Sequence, residues 1–263
     1  MMTANPVLRV VRLTKTFGGV DAVRDVSFTV GAGELVALIG PNGAGKTTCF
    51  NLVNGQLAPD AGEVILGGER IDGLHPRAIA GKGVGRTFQV AATFASMTVR
   101  ENVEVALLAH ANLHTSVRTR VAQQVRAAAD ALLERVRMAK FADQGCATLA
   151  YGDAKRVELA LALAGTPRLL LMDEPTAGMS PRSRGRVMQL AADLVRKERI
   201  AVLFTEHDMD VVFGYADRVI VLDRGEIIAE GPPDAIRADA RVQAVYLGAD
   251  AAVSADDERP SAR

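Results

Sequence analysis

The chain lacks tryptophan, has few aromatic residues and carries no net charge. Of its 263 residues, 4% are aromatic and two are cysteines, Cys49 and Cys146. Two cysteines cannot form a disulfide framework, which excludes the small disulfide-stabilised class of secreted domains. The 31 Lys and Arg residues balance 31 Asp and Glu residues, which disfavours binding to nucleic acid through bulk charge but leaves a local basic patch open.

Long apolar runs are also absent from the sequence. The longest candidates, such as Leu159–Ala164 and Leu169–Met172, fall far short of the roughly 18–20 residues that cross a bilayer. The first ten residues, MMTANPVLRV, show neither the charged start nor the apolar stretch of a signal peptide. Because 49% of the residues are hydrophobic, we expect a cytoplasmic protein with a sizeable core rather than a disordered chain.

The hydrophobic pattern divides the chain into three zones. Short strands dominate residues 7–75, helices dominate about 90–165, and strands and helices alternate in the last zone. The order strand, helix Arg182–Lys197, strand predicts a right-handed parallel crossover there. Residues 249–263 are small, polar and charged, which predicts a disordered tail. The predicted strands are Val7–Leu13, Val26–Val30, Leu35–Ile39, Glu63–Leu66, Val84–Phe88, Leu169–Met172, Ala201–Phe204, and the hairpin pair Val219–Leu222 and Ile227–Ala229.

One apolar stripe is visible in the middle zone. Its members recur at spacings of three and four, which predicts one amphipathic helix that packs on a core. They are Val117, Val121, Val125, Ala128, Leu132 and Val136.

A glycine-rich loop follows the apolar run Leu35–Ile39. Gly40 to Thr47 reads GPNGAGKT, which fits G-x-x-x-x-G-K-[ST] between a strand and a helix and indicates a phosphate-binding loop. Gly43 and Gly45 allow backbone N–H groups to turn toward phosphate oxygens, and the helix from about Lys46 adds its dipole. Lys46 would neutralise the β- and γ-phosphates, and Thr47 would offer its hydroxyl to Mg²⁺.

Two acids end the apolar run Leu169–Met172. The carboxyl end of a parallel strand is where such a sheet presents its ligand site. Asp173 is placed to hold Mg²⁺, through water, and Glu174 to polarise an attacking water as general base. Taken alone, one of the two could equally be a solvated strand-end acid, but the phosphate loop elsewhere in the chain favours the paired role.

Between these motifs lies Leu149–Asp153, with the sequence LAYGD, before a helix predicted over Ala154–Ala164. At this point residues 7–248 resemble the ATP-binding subunit of ABC transporters. The resemblance depends on the order of parts: phosphate loop, Gln89, a signature 24 residues before Asp173, the acid pair, and His207. Details such as GVGRTFQ at 83–89, TEHDM at 205–209 and VYLG at 245–248 resemble the importers of branched-chain amino acids, with urea and short-chain amide importers close by.

The resemblance implies ATP and Mg²⁺ as cofactors and a role for each matching residue. Phe17 would stack on adenine beside Val23, although simple core packing is an alternative for Phe17. Gln89 would bind Mg²⁺ or water and act as the hinge of a helical subdomain, and His207 would contact the γ-phosphate. The implied catalytic residues are Glu174, His207 and Lys46; the metal ligands are Thr47, Gln89 and Asp173; the nucleotide contacts are Phe17, Val23, Asn42, Gly43, Ala44, Gly45, Lys46, Thr47, Thr48, Gln89 and, from the opposite subunit, Ala150 and Gly152.

The signature departs from the family's LSGGQ, since Ala150 replaces Ser, Tyr151 replaces Gly and Asp153 replaces Gln. Ala150 cannot donate a hydroxyl to the γ-phosphate, so the Gly152 amide and the helix start remain as donors. Lys155 and Arg156 fall in the first turn of the predicted helix. They are either solvated surface cations or an attraction for the partner's nucleotide. The segment 177–181 matches the loop where two such subunits touch, with Ser180 where the family usually has Asp.

We therefore expect an α/β P-loop ABC ATPase domain over 7–248, with a parallel core sheet, an N-terminal antiparallel β layer and an inserted helical subdomain at about 90–165. The resemblance implies a second ATPase subunit, integral membrane permeases and, indirectly, a substrate-binding protein, with no nucleic acid partner. It places the chain on the cytoplasmic face of the inner membrane, powering import of branched-chain amino acids. Alternatives are a urea or amide importer, a lipopolysaccharide exporter, and a non-transport ABC ATPase.

Overall fold

A computed structural model describes residues 6–87, 93–111 and 119–246. Its central feature is a six-stranded sheet in the order β10-β9-β3-β8-β7-β6. The contiguous strands are parallel, and only the edge pair β9·β10 is antiparallel. The strands are β3 Leu35–Ile39, β6 Val84–Thr87, β7 Leu169–Asp173, β8 Ala201–Thr205, β9 Arg218–Asp223 and β10 Glu226–Gly231.

The middle strands are buried on both faces, as their continuous apolar runs predict. All five residues of β3 and of β8 are buried. Alternate residues of β3 enter different cores: Val36 and Leu38 face one apolar cluster, whereas Leu35, Ala37 and Ile39 face another. The sheet is therefore sandwiched between two hydrophobic layers, which confirms the predicted parallel core.

One of those layers is closed by a second sheet, which is antiparallel and has the order β2-β1-β4-β5. Its strands β1 and β2 extend further than predicted, because the predicted bounds stop where polar residues begin. Asp60 explains the extension of β1, since it accepts hydrogen bonds from Lys15 Nζ at 2.7 Å and from Thr16 N at 2.8 Å. The strands are β1 Leu8–Phe17, β2 Val20–Val30, β4 Ala61–Leu66 and β5 Glu69–Arg70.

Helix α1, Lys46–Val53, starts at the end of the glycine-rich loop and shares a core with both sheets. The other layer consists mainly of helices that cover the opposite face of the parallel sheet. The remaining helices are α2 Pro76–Gly81, α3 Val99–His110, α4 Thr119–Arg135, α5 Tyr151–Leu163, α6 Pro181–Glu198, α7 Met209–Tyr215 and α8 Pro233–Ala238, with short 3-10 helices at Ala139–Phe141 and Cys146–Thr148.

The predicted stripe on α4 is partly wrong. Ala128 is exposed, and Ala129 is buried in its place. Leu132 and Val136 are buried as predicted, but Val136 follows the end of the helix, and Val117 lies outside the described residues. Ala129 and Leu133, at spacings of four after Val125, are both buried, so the buried face is rotated slightly from the predicted stripe and leaves Ala128 at its exposed edge.

Candidate functional site

The phosphate loop and the acid pair meet at one edge of the parallel sheet. Strands β3, β7 and β8 run in the same direction, so their carboxyl ends lie together. Gly40 follows β3, Asp173 ends β7 and Thr205 ends β8. The charges of Glu174 and Asp173 act on the Lys46 ammonium and raise its pKa, but burial has the larger effect and leaves that pKa lowered. The structure thus brings together residues that are more than 120 positions apart in the chain.

Two glycines of the loop are required by close backbone contacts. A Cβ at Gly40 would lie 2.2 Å from the Leu222 carbonyl oxygen, and a Cβ at Gly45 would lie 2.2 Å from the Ala22 carbonyl oxygen. Gly45 also has φ of 103° and is the residue before α1, a left-handed conformation that side chains disfavour. The loop therefore fits into the surrounding backbone only because it has no side chains at these points.

The Lys46 side chain folds back onto the loop and binds two of the loop's backbone carbonyls. Its Nζ donates to Gly40 O at 2.6 Å and to Pro41 O at 3.1 Å, and the residue is only 7% exposed. Beside it Asn42, Gly43 and Thr47 are exposed, Thr48 is half-buried and Ala44 is buried. No side chain caps the start of α1, so its first N–H groups can donate to an anion.

Asp173 is held from both sides. Its Oδ1 accepts from Thr205 Oγ1 at 2.8 Å, and its Oδ2 accepts from Arg86 Nη2 at 3.2 Å. The same arginine donates through Nη1 to Asn51 Oδ1 at 2.8 Å and Gln56 Oε1 at 2.9 Å. Because a carboxylate oxygen can accept two hydrogen bonds, each oxygen keeps one acceptor position for another group.

Glu174 and His207 form a pair at the rim. His207 Nε2 lies 2.8 Å from Glu174 Oε1, and the histidine side chain is 49% exposed. Glu174 has a left-handed backbone with φ of 46°, and its N–H donates to Thr205 Oγ1 at 3.1 Å. This conformation is unfavourable for a non-glycine residue and persists only where the surroundings impose it.

Sequence reasoning missed three residues of this site. Thr205 bridges the Asp173 side chain and the Glu174 backbone, and Arg86 holds Asp173. Glu206 is 3% exposed and accepts from Thr176 N at 2.8 Å and Thr176 Oγ1 at 2.6 Å, which fixes the segment after Glu174. The available signal was positional, since Thr205 ends an apolar strand as Asp173 does.

Two predicted contacts to the base differ in their surroundings. Phe17 is 46% exposed at the end of β1, with Lys15 Nζ 5.5 Å from the centre of its ring. Its exposure argues against core packing and leaves a face for stacking. Val23 is fully buried, and its Cγ2 would lie 3.6 Å from a Cβ at Gly45. Contrary to the prediction, Val23 supports the loop and offers no surface to a base.

The signature segment forms the start of α5. The helix begins at Tyr151, three residues earlier than predicted, because the Ala150 carbonyl already accepts from Asp153 N at 2.9 Å and Ala154 N at 3.0 Å. Ala150 gives no side-chain cap. A Cβ at Gly152 would lie 3.2 Å from Ser183 Cβ on α6, so the glycine permits close packing of the two helices.

Of the two interpretations of Lys155 and Arg156, the structure contradicts the one in which they are solvated surface cations. Lys155 and Glu158 are both 3% exposed in their side chains and pair at 2.9 Å. Arg156 is 12% exposed in its side chain, binds Asp153 and donates to Arg137 O at 3.1 Å. Each charge is compensated within the helical layer, which offsets its unfavourable position near the helix start.

Some predicted features fall outside the described residues. Gln89 and Phe88 lie in the gap at 88–92, and the predicted tail from Ala249 lies beyond residue 246. The segment 177–181 is described: it leads into α6, and Gly178 has φ of 72°. Ser180 precedes the helix without capping it through its side chain.

A family model described as ABC transporter matches residues 23–177. The match contains the phosphate loop, the signature and both acids. This chain belongs to the ABC transporter ATP-binding family. A model described as branched-chain amino acid ATP-binding cassette transporter also matches residues 226–252. As a member of the family, the chain is an ATPase that binds ATP and couples its hydrolysis to transport.

Individual relatives of this ABC protein have different cargo. It is 39% identical over 252 residues to the high-affinity branched-chain amino acid transport ATP-binding protein BraF of Pseudomonas aeruginosa, covering 93% of this chain and 99% of that one. It is 36% identical over 242 residues to the lipopolysaccharide export system ATP-binding protein LptB of Haemophilus influenzae, covering 92% and 97%.

Solved structures confirm the fold of this ABC ATPase. The ADP conformation of an ATP-binding cassette of an ABC transporter matches with a TM-score of 0.84 and 30% identity, covering 93% of this chain and all of the other. A dimeric cassette in a post-hydrolysis state, bound to ADP and phosphate, matches with a TM-score of 0.73 and 26% identity, covering 86% and 98%. No helix within the described residues has the length and apolar character to span a membrane.

Proposed function

We propose that this ABC ATPase powers an importer of branched-chain amino acids from the cytoplasmic face of the membrane. The observation that carries the ATPase mechanism is the meeting of Lys46, Asp173 and the Glu174–His207 pair at one sheet edge. The cargo is supported by the likeness to BraF and by the branched-chain family model over 226–252. Lipopolysaccharide export is the second candidate, supported by the slightly lower identity to LptB.

The loop residues bind the phosphates in this proposal. Lys46 exchanges its two carbonyl partners for phosphate oxygens, and the first N–H groups of α1 donate to the same anion. Phe17 stacks on the base through its exposed face. The exposed Thr47 hydroxyl and the Asp173 carboxylate are hard oxygen donors that suit Mg²⁺. When bound there, Mg²⁺ supplies charge neutralisation of the phosphates.

Glu174 and His207 prepare the attacking water in this proposal. Glu174 accepts the water proton on its carboxylate, and His207 orients the carboxylate through the 2.8 Å contact. Thr205 keeps the two acids in fixed relation, because one hydroxyl binds the side chain of the first and the backbone of the second. Asp173 is thereby reserved for the metal and Glu174 for the water.

A second subunit completes the site. The signature presents the uncapped start of α5 beside the 46% exposed Tyr151, and the N–H groups of such a helix start can donate to an anion. The phosphates held by a facing subunit supply that anion. The similarity to a dimeric cassette supports this arrangement, which we propose for a dimer with either an identical or a related ATPase subunit.

Membrane permeases dock, in this proposal, on a cleft of about 300 Å³ between the sheet and the helical layer. Its walls include Ile79, Val84 and Leu161, which are apolar, and Arg86, which also binds Asp173. A permease segment in this cleft would therefore touch a side chain that holds the proposed metal ligand. The helical subdomain at about 90–165 would move as one unit about Gln89 as ATP binds. A substrate-binding protein acts only through the permeases, and no nucleic acid takes part.

The mechanism is tested by Glu174→Gln in the purified chain. The amide keeps the shape but cannot accept the water proton, so ATP affinity should stay within about twofold while hydrolysis falls roughly 10²–10⁴-fold. The variant should accumulate an ATP-dependent dimer, visible by size-exclusion chromatography with light scattering. Glu198→Gln, on the exposed end of α6, is the matched control. Wild-type hydrolysis by Glu174→Gln in a homodimer would disprove the role of Glu174.

The cargo is tested separately in right-side-out membrane vesicles that hold ATP in their lumen, prepared from cells with and without this chain. ATP-dependent uptake of radiolabelled leucine that requires the wild-type chain supports amino-acid import. Loss of lipopolysaccharide transport, or of urea uptake, with leucine uptake unchanged would replace that cargo while leaving the ATPase mechanism intact.

A further inference from the structure

A second concave site lies away from the phosphate loop, where three parts of the helical layer meet. It is a cavity of about 260 Å³ lined by Arg137, Lys140, Arg156, Arg186 and Leu190. Four of its five lining residues are cations. We propose that this basic cavity binds a small anion of the phosphate class that carries more than one negative charge.

The charge of the basic cavity is only half compensated. Asp153 pairs with Arg156, and Asp193 Oδ2 accepts from Arg137 Nη2 at 2.8 Å. Lys140 instead lies over the Phe141 ring at 4.7 Å from its centre. Within the described residues, no carboxylate forms an ion pair with Lys140 or Arg186. Two positive charges therefore line one concave surface without a carboxylate partner in the described part of the chain, which concentrates positive potential there.

The geometry favours phosphate oxygens over other ligands. Guanidinium groups present planar pairs of N–H donors that match phosphate oxygens. Arg156 is already fixed, because its side chain is 12% exposed and two of its nitrogens are bound to Asp153 and Arg137 O, so little freedom is lost on binding. The volume is below the usual range for drug-sized ligands and suits a group of about one or two phosphates.

A bound anion would connect three elements of the helical layer: the segment after α4, the signature helix α5, and α6. Arg137 and Lys140 belong to the segment after α4, Arg156 belongs to the signature helix, and Arg186 belongs to α6, which leads to β8. An anion that touches all four would hold the signature helix against the layer next to the sheet. The same cations repel one another in the absence of an anion, so the site costs stability when it is empty.

The test uses calorimetric titration with inorganic pyrophosphate at fixed ionic strength. Every protein carries Lys46→Ala, so that the phosphate loop does not mask the second site. We expect one site in this parent, and at least a tenfold loss of affinity in Lys140→Gln/Arg186→Gln. The matched control is Arg126→Gln/Arg182→Gln, which removes two exposed cations from α4 and α6 outside the cavity and should stay within about twofold.

Thermal unfolding separates binding from a structural role. Without anion, Lys140→Gln/Arg186→Gln should have a Tm close to that of the parent, because the lost repulsion offsets the lost contact between Lys140 and the Phe141 ring. Pyrophosphate should raise the Tm of the parent and not that of the variant. Equal pyrophosphate affinity in parent and variant, together with equal binding of both to anionic vesicles, would overturn the proposal.

A vesicle-binding experiment distinguishes a lipid headgroup from a free anion as the source of the phosphate group. Vesicles of phosphatidylglycerol and of phosphatidylcholine are sedimented with the parent, the cavity variant and the control variant. Binding to the anionic vesicles alone that requires Lys140 and Arg186 identifies a lipid headgroup as the ligand, and binding of pyrophosphate alone identifies a free anion. If neither probe distinguishes the cavity variant from the control, the proposal is wrong. None of these measurements depends on ATP hydrolysis. Failure of the anion-binding proposal can therefore be told apart from failure of the proposed function.

Discussion

The phosphate loop and the signature are both helix starts prepared for an anion, yet they differ in how much each can do alone. The loop contains a cation, Lys46, that is buried and bound to loop carbonyls. The signature has no free cation, since Lys155 and Arg156 are both paired inside the helical layer. In the proposed function the loop therefore holds phosphate with its own cation, whereas the signature would add only neutral donors to a phosphate held by another subunit.

The comparison predicts the largest effect for the loop cation. Lys46→Ala removes an ammonium that would face two phosphates, at roughly 1.5–3 kcal/mol for each charged hydrogen bond. ATP binding, measured by calorimetry, should weaken by at least about 10²-fold. Lys82→Ala, which breaks a partly exposed ion pair with Glu69, should leave the affinity unchanged. Equal affinity in wild type and Lys46→Ala would contradict the assignment of the loop.

A smaller loss of hydrolysis is expected at Thr205, the last residue of β8. Thr205→Val keeps the shape but removes the hydroxyl that joins Asp173 to the Glu174 backbone. Hydrolysis should fall roughly tenfold, on the order of one lost hydrogen bond to a charged group, while ATP affinity changes by less than about threefold. Thr205→Ser should restore the rate. If both variants are equally slow, the methyl packing of Thr205 matters rather than its hydroxyl.

A substitution in the signature is expected to raise ATP hydrolysis modestly, whereas the substitutions above lower binding or hydrolysis. Ala150→Ser adds a hydroxyl at the residue before α5, where a donor or cap is missing. Hydrolysis at saturating ATP should rise about two- to tenfold, as one net hydrogen bond of about 0.5–1.5 kcal/mol allows. Ala154→Ser on the same helix is the control. No change in Ala150→Ser, or an equal change in Ala154→Ser, would show that the site does not use this position.

The smallest expected effect is on stability rather than activity, and it concerns Glu34, which lies away from both helix starts. Burial raises the pKa of Glu34, but hydrogen bonds from Arg218 and the Gly31 N–H outweigh it and leave the pKa below 4.5. A lowered folded-state pKa stabilises the protein above the unfolded value and loses this contribution as pH falls through the folded value. In urea titrations from pH 7 to 3, Glu34→Gln should lower the unfolding free energy at pH 7 by roughly 1 kcal/mol, the order of one net hydrogen bond, and flatten its acid decline. Its ATP affinity at pH 7 should equal that of wild type.

Contiguous patterns predicted most of the fold. Leu35–Ile39 coincides with β3, and the helix from Lys46 starts at the predicted residue. Such features depend on neighbours in the sequence, where apolar runs and glycines act directly on the local backbone. The hairpin between β9 and β10 is confirmed for the same reason.

Contacts between distant positions could not be predicted in this way. Arg86 lies 87 residues before Asp173 and Thr205 lies 32 after it, so no spacing links them. The burial of Lys155 is likewise invisible, because it depends on Glu158 and on the packing of the whole helical layer. Arg86 and Thr205 lie within segments that resemble the family, but their contacts with Asp173 and Glu174 required the structure.

The left-handed backbone at Glu174 has a consequence for how this position changes over generations. Glycine adopts that conformation without steric cost, so selection for stability alone would favour replacing this glutamate with glycine. Selection for turnover acts against that replacement if the carboxylate is the proton acceptor. Selection for stability and selection for turnover are thus opposed at this position. In relatives that no longer need ATP hydrolysis for transport, we expect this glutamate to be replaced before the buried residues around it.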